Sequence, residues 1–199
     1  VERLIESSPM RVTPRCEHFG VCGGCSLQHI GTARQVSIKQ DRLLEQLSRV
    51  NVTAEALQAP ITGPAWGYRR KARLGAKWVG KIDTALVGFR ERHNNHIAVL
   101  SGCEVLHPSV GRNMLALRRL LSSLDARESV PQIEMAVGVD TTALVFRHTS
   151  PFGSDDCDRL IEFAKTHELS VFLQPGGPET VEGLWPFDPP RLGYELPNF

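Results

Sequence analysis

The feature that most constrains this chain is a group of three cysteines within ten residues near its start. Cys16, Cys22 and Cys25 are separated by five and then two residues. The chain holds five cysteines in all, and residues 1–10 lack the basic start and apolar stretch of a secretory signal. An odd number of cysteines without such a signal argues against a disulfide framework. Thiols this close together in a reducing compartment indicate a metal site, because thiolates are soft ligands suited to iron–sulfur clusters or zinc.

The fourth ligand of such a site has two candidates, Cys103 and Cys157. Cys103 lies beside a glycine just after an apolar run, and glycines also lie beside the cysteines near the start of the chain. Cys157 lies in a segment with the pattern of a helix start, where Ser154 is the predicted N-cap and Leu160 follows at helical spacing. We therefore predict Cys103 as the fourth ligand and Cys157 as a small residue of the core.

The spacing of the cysteines favours an iron–sulfur cluster over zinc. Structural zinc sites use shorter knuckles, usually in two pairs, whereas this chain has one C-x2-C pair, one longer spacing and one remote cysteine. That arrangement is typical of ferredoxin-type ligation. The three glycines between Cys16 and Cys25 suit a chain that turns sharply and lets N–H groups approach the sulfurs. Zinc remains the alternative, because His18 and His29 could act as ligands, although a lone histidine in such a loop is more often a surface residue.

The periodicity of apolar residues predicts an α+β fold with a mainly antiparallel sheet, three helices and a cysteine-rich loop over residues 16–30. Thr32 and Gln35 match a capping box at the start of the first helix. The predicted helices cover residues 32–50, 109–124 and 154–167. The predicted strands cover residues 68–79, 86–92, 96–100, 133–139, 142–148 and 169–173, with two short ones near 180–184 and 191–196. Short links between strands favour antiparallel pairing.

Positive charge is concentrated in residues 66–96, although the whole chain carries a net charge of only +1. Eight Lys and Arg residues lie there against two acidic residues. In the first predicted strand, alternation places four cations on one face, namely Arg69, Lys71, Arg73 and Lys77. Cations at alternate positions of one strand can contact successive phosphates, so the pattern predicts an RNA-binding face. A solvated edge of the sheet is the alternative.

No group of residues in the sequence matches a catalytic site, so no catalytic residue is predicted. Asp188-Pro189-Pro190-Arg191 matches a catalytic loop of some methyltransferases that act on nitrogen, but no glycine-rich βαβ unit precedes it. We interpret it as a proline-rich turn. No apolar run approaches the length that a membrane helix needs.

Four sequence motifs, taken in order, resemble one enzyme family. They are CEHFGVCGGCSLQH at residues 16–29, WGYRRKARL at residues 66–74, Gly88-Phe89-Arg90 and Ser101-Gly102-Cys103. Together they resemble the bacterial iron–sulfur branch of the RNA uracil-C5 methyltransferases, which methylates uridine 1939 of 23S ribosomal RNA. The resemblance covers nearly the whole chain.

The resemblance implies that this chain is the central part of a longer enzyme. Residues 1–15 would be a linker from an N-terminal β-barrel of the TRAM type, and residues 16–190 the central iron–sulfur and RNA-binding domain. Residues 191–199 would begin the connection to a catalytic domain that binds S-adenosylmethionine. The nucleophile and the general base of that domain have no counterpart here. The chain also lacks an initiator methionine, as expected for a segment.

The resemblance also implies the site residues and the partners. A [4Fe–4S] cluster with a structural role would be held by Cys16, Cys22, Cys25 and Cys103. RNA would be contacted by Arg73 and its neighbours on the basic strand, and by Phe199, where the family places an aromatic residue near the flipped-out base. The implied protein is a cytoplasmic monomer that binds 23S ribosomal RNA and no membrane, and S-adenosylmethionine would bind only to the full-length enzyme. The alternatives are a small iron–sulfur redox protein and a zinc-stabilised nucleic-acid-binding module.

Overall fold

The computed structural model describes residues 5–195. These residues form four α-helices and one six-stranded sheet. The helices are α1 (Thr32–Arg49), α2 (Pro108–Gly111), α3 (Met114–Ser123) and α4 (Ser154–Thr166). The strands are β1 (Lys71–Val79), β2 (Thr84–Gly88), β3 (Gln132–Val137), β4 (Thr142–Arg147), β5 (Ser170–Gln174) and β6 (Glu182–Trp185). The predicted α+β class is confirmed, and the described residues contain one helix more than predicted.

The sheet is mainly antiparallel, as predicted. Its strands lie in the order β2-β1-β3-β4-β5-β6, and every neighbouring pair is antiparallel except β4 and β5. That parallel pair is joined by α4, since a parallel connection needs a crossover. Helices α3 and α4 cover one face of the sheet, where Leu74, Met135 and Phe146 are buried. The opposite face, which carries the odd-numbered residues of β1, is called the outer face below.

Helix α1 forms where it is predicted, but it buries none of its residues. Leu43 is more than half exposed. The predicted capping box is wrong, because Gly31 rather than Thr32 is the N-cap and no side chain caps the helix. The Gln35 side chain instead donates to the carbonyl of Ile30 at 2.8 Å. Neither α1 nor any other helix of residues 5–195 is long and apolar enough to cross a membrane.

The helix predicted over residues 109–124 is broken into α2 and α3. The apolar residues at helical spacing along this segment are buried, but Asn113 leaves helical geometry and becomes the N-cap of α3. The break follows from a contact with a distant segment of the chain. Helix α2 ends at Gly111, and the carbonyl of Gly111 accepts the N–H of Cys103 at 2.9 Å. A side chain at Gly111 would collide with the carbonyl oxygen of Cys103. Helix α2 is therefore positioned against the segment that carries Cys103.

Several other predicted boundaries need correction. Residues 96–100 form only an isolated bridge between Ile97 and Arg90, because this segment crosses over Gly88. The strand predicted at 86–92 ends as β2 at Gly88. Residues 191–195 are not in a strand, and residue 196 lies outside the described residues. Helix α4 begins as predicted, but its N-cap is Gly153 rather than Ser154.

Candidate functional site

The four predicted ligand residues, although far apart in sequence, line one small cavity. Cys16, Cys22, Cys25 and Cys103 share its wall with two aromatic side chains and Leu100. All four thiols are free; Cys22 is buried and the other three are partly buried. We call residues 16–25 the cysteine loop and the space between the four thiols the cysteine cavity. The structure thus brings together the four cysteines that the sequence singles out.

Glycines shape the cysteine loop in two ways. Gly20 turns the chain in the left-handed region, with φ of +102°, which favours glycine. Gly24 donates its N–H to the sulfur of Cys22 at 3.4 Å. Gly23 lies so close to the next segment that an added Cβ would be 2.8 Å from the carbonyl oxygen of Arg90. The predicted roles of glycine, in turning and in N–H approach to sulfur, are confirmed at Gly20 and Gly24.

The cysteine loop is docked by its backbone on a short hairpin. Residues 90–97 form this hairpin, which is closed by a bridge between Arg90 and Ile97 and is called the 90–97 hairpin. Gly23 donates its N–H to the carbonyl of Arg90, and Arg92 donates its N–H to the carbonyl of Val21, both at 2.9 Å. The position of the cysteine loop therefore depends on the hairpin that follows β2.

Two arginine side chains also hold the cysteine loop. Arg92 donates to the carbonyl of Cys25 at 3.2 Å, and Arg69 donates to the carbonyl of Gly24 at 3.4 Å. Each guanidinium lies over an aromatic ring, at 5.5 Å for Arg92 over Phe19 and 5.3 Å for Arg69 over Phe89. Part of the positive charge of residues 66–96 therefore holds the cysteine loop in place.

Arg92→Gln is expected to loosen the cysteine loop without unfolding the chain, because the Arg92 side chain is exposed. Losing one charge-assisted hydrogen bond and one cation–π contact costs about 1–2 kcal/mol. A metal cluster bound there should then be lost to excess chelator roughly tenfold faster, which the decay of its visible absorbance measures. Arg119→Gln is the matched control, since Arg119 is exposed on α3. Equal decay rates in both variants and the unchanged chain would contradict this role of Arg92.

A polar network ties the segment before Cys103 to the cysteine loop. His18 accepts the N–H of Ser101 at 3.0 Å and contacts its hydroxyl at 2.9 Å. The Ser101 hydroxyl also donates to the carboxylate of Glu17. His18 thus joins two segments that carry cysteines, whereas His29, the other histidine considered for zinc, is not among the residues that line the cavity.

Burial raises the pKa of three thiols, those of Cys16, Cys22 and Cys103, above the ordinary value. Hydrogen bonds from backbone N–H groups act against this effect of burial and lower the pKa. The N–H of Gly24 acts on Cys22, and the N–H of Leu106 acts on Cys103. These thiols are therefore protonated at neutral pH unless a cation replaces their protons. A metal would favour the thiolates, and the N–H groups already directed at the sulfurs would stabilise that negative charge.

Cys157 lies apart from the other cysteines, in α4. It is only partly buried, so its predicted place in the core is wrong, and α4 instead buries Leu160, Phe163 and Ala164. It does not line the cysteine cavity. Among residues 5–195, no group of three or more His, Cys, Asp or Glu side chains is arranged so that it could hold a metal ion. The four cysteines thus share a cavity without forming such a group.

Strand β1 carries the predicted row of cations on the outer face. Lys71, Arg73 and Lys77 are exposed, and the alternate residues between them point toward the core. Arg73 forms an ion pair with Glu134 of β3 at 3.1 Å. Arg69 precedes the strand, and because its guanidinium is engaged by the cysteine loop, an RNA contact of Arg69 would compete with that bond. Among the described residues of β1, Lys71 and Lys77 are therefore the exposed cations that form no ion pair, while Arg73 shares its charge with Glu134.

The aromatic residues near the basic strand are mostly covered by arginines. The guanidinium of Arg15 lies 5.3 Å from the ring centre of Trp66, and that of Arg127 lies 4.6 Å from Trp78. Tyr68 is half exposed. Phe199, the remaining predicted RNA contact, lies outside the described residues.

One cation of the outer face is absent from the sequence predictions. Arg147, the last residue of β4, is exposed and pairs in register with Gln132, which itself pairs with Gly75 of β1. It lies two strands from β1, a distance of about 10 Å. Its alternation with buried Phe146 is visible in the sequence, but its position beside the β1 cations follows only from the strand order.

The chain is similar in sequence, over nearly its whole length, to proteins that share one name. The chain is 50% identical over 196 residues to a protein of Nitrosococcus oceani named 23S rRNA (uracil(1939)-C(5))-methyltransferase RlmD. It is 46% identical over 195 residues to the protein of the same name from Acidithiobacillus ferrooxidans. Both alignments cover 98% of this chain. The chain is homologous to one part of this methyltransferase family. It spans 44% of the length of each of these two relatives.

The fold also has a counterpart among solved structures of RNA methyltransferases. The crystal structure of Pyrococcus abyssi tRNA (uracil-54, C5)-methyltransferase, in complex with S-adenosyl-L-homocysteine, matches 86% of this chain and 39% of that one. The TM-score is 0.56 and the sequence identity 19%, so this likeness shows the fold alone. No model of a protein family matches the chain.

Proposed function

We propose that this chain is the iron–sulfur- and RNA-binding part of a 23S ribosomal RNA uracil-C5 methyltransferase that forms 5-methyluridine at position 1939. The observation that carries the proposal is the 50% identity to the Nitrosococcus oceani protein across 98% of the chain. Residues 16–190 would be the binding domain, with residues 1–15 as the linker before it and residues 191–199 as the connection to the catalytic domain.

The cysteine cavity supports a [4Fe–4S] cluster as the group held by this domain. Four thiols form the soft ligand set that such a cluster uses. In such a cluster each cysteine binds a different iron, so its four thiols surround a cavity instead of meeting at one ion, and the four thiols here line one cavity. Zinc would need all four ligands about 2.3 Å from a single ion. When bound, the cluster would supply a rigid cross-link between the cysteine loop and residues 101–103.

The outer face supports RNA as the partner. The exposed cations of β1 can contact phosphates, and each such contact adds about 0.7 to the salt dependence of binding to a single strand. The cysteine loop is bonded to Arg69, just before β1, and to the 90–97 hairpin, just after β2. A cluster in the cysteine cavity would thus fix both segments that flank the basic strands, which favours a structural role over electron transfer.

Methyl transfer itself would take place in a separate domain of the whole protein. The Pyrococcus abyssi structure is a complex with S-adenosyl-L-homocysteine, the product that S-adenosylmethionine leaves after it gives up its methyl group. We assign no residue of this chain to the chemical step. Its residues would bind the ribosomal RNA and hold it in position for the catalytic domain.

Metal analysis of anaerobically purified protein tests the proposal. We expect about four irons and four acid-labile sulfides per chain, with a broad visible absorbance band. Zinc should be close to zero in the same sample. Stoichiometric zinc without colour would overturn the cluster and favour the zinc-stabilised nucleic-acid-binding module. A full cluster together with no affinity for RNA would favour the small redox protein.

A further inference from the structure

A second cavity lies on the outer face, beside the cations of β1. It is an open cleft of about 810 Å³, a size typical of small-molecule sites. Its floor includes Lys77 of β1 and Leu86 of β2. One wall is the 90–97 hairpin, which contributes Arg90, His96 and Ile97, and the opposite wall consists of residues 128–131. None of the sequence predictions anticipates this cleft, because its two walls are about 35 residues apart.

A pair of glycines holds the hairpin wall against the sheet. Gly75 and Gly88 are partners in the β1–β2 register. An added Cβ at Gly88 would lie 2.6 Å from the carbonyl oxygen of Ala98, and one at Gly75 would lie 3.1 Å from the Ile97 side chain. The chain just after the hairpin can therefore pass over the outer face only because Gly88 lacks a side chain, whereas a Cβ at Gly75 would require the Ile97 side chain to shift. The cleft is thus preformed by backbone packing, which lowers the cost of binding.

The side chains of the cleft combine positive charge, apolar surface and an imidazole, and this combination suits the binding of one nucleotide. Lys77 and Arg90 supply positive charge for a phosphate, and Arg90 is oriented by a 2.7 Å hydrogen bond to the carbonyl of Asn95. Leu86 and Ile97 supply an apolar surface for a base or a ribose. The exposed imidazole of His96 can stack on a base or bond to its edge. The acidic group that lines the cleft is that of Glu128 on the opposite wall.

We infer that this cleft binds one unstacked nucleotide of single-stranded RNA. Its phosphate would lie at Lys77 and Arg90, and its base would lie against Ile97 and His96. A single strand is required, because a base inside a duplex is stacked on both sides and cannot enter a cleft. The inference rests on the proposed RNA-binding function and adds His96 and the hairpin to the predicted contacts of β1.

The test uses the cluster-loaded chain and a fluorescein-labelled uridine-rich single-stranded RNA of about 15 nucleotides. His96→Ala should weaken binding about fivefold, the effect of one lost hydrogen bond or stacking contact. His93→Ala is the matched control, since His93 is exposed in the same hairpin but does not line the cleft. The same RNA carrying 4-thiouridine should cross-link under ultraviolet light to the peptide that contains residues 90–97.

A third variant separates this inference from the function on which it rests. Lys71 is a cation of the outer face that does not line the cleft, so Lys71→Gln reports RNA binding by β1 alone. If Lys71→Gln weakens binding while His96→Ala behaves like His93→Ala, the cleft is not a nucleotide site and the RNA-binding function stands. Absence of RNA binding by the unchanged chain overturns both.

Discussion

Cys103→Ser should remove the metal from this chain and lower its melting temperature by about 10 °C. A hydroxyl is a poor ligand for iron, so iron should fall from about four atoms to less than one per chain. The cluster would join the cysteine loop to Cys103 across roughly 80 residues, and a cross-link of that length stabilises a chain by about 4 kcal/mol through lost unfolded-state entropy. Iron analysis and a thermal melt followed by circular dichroism measure the two effects.

Cys157→Ser is the control for this experiment. Cys157 lies in α4 and does not line the cysteine cavity, so its replacement should leave both the iron content and the melting temperature close to those of the unchanged chain. Loss of iron in Cys157→Ser with full retention in Cys103→Ser would reverse the choice of fourth ligand. Retention in both variants would show that three cysteines are sufficient.

Asp156→Ala should destabilise the fold by about 3 kcal/mol, through a different mechanism. The Asp156 carboxylate is 1% exposed and accepts the backbone N–H groups of Asp125 at 2.7 Å and Ala126 at 2.9 Å. It also accepts a bond from the guanidinium of Arg159 at 2.8 Å. Removing it leaves two buried backbone donors without their acceptor, while Arg159 keeps only its ion pair with Asp125 at 3.2 Å. The expected fall in melting temperature is again about 10 °C, measured on metal-loaded protein.

Asp155→Ala provides a control with matched helix position and charge. Both aspartates lie in the first turn of α4, so each interacts similarly with the helix dipole. Asp155 is exposed and accepts a bond from the neighbouring Ser154 hydroxyl at 3.2 Å. Its replacement should change the melting temperature by no more than about 2 °C. Similar melting temperatures for the two variants would refute a special role for Asp156.

The local elements of this fold can be predicted from the sequence, because their signals are local. The alternation in β1, the β3–β4 hairpin and the buried face of α3 all follow from side-chain period. The cysteine set is also predictable in part, since spacing and neighbouring glycines distinguish Cys103 from Cys157. These inferences need no knowledge of how distant segments meet.

The failed predictions concern interactions between distant segments. The apolar stripe of α1 predicts a buried face, yet period alone cannot say whether a partner surface is present. Residues 96–100 have the composition of a strand but cross the sheet at Gly88. Asp156 looks like an ordinary first-turn acid, because its backbone partners lie about 30 residues earlier. Arg92 likewise looks like one more surface cation, and only the docked cysteine loop shows what it holds.

The distance along the chain between the cysteine loop and Cys103 also determines how long the first three cysteines wait for the fourth during synthesis. Ribosomes add about 5–20 residues per second, so the roughly 80 residues after Cys25 take about 4–16 s to emerge. For most of that interval the first three thiols are outside the ribosome without the 90–97 hairpin on which their loop docks, and for all of it they are without Cys103. They are then open to oxidation or to capture of the wrong metal. Assembly of the proposed cluster would therefore be completed only after Cys103 has emerged, and the nascent thiols would need a reducing environment until then.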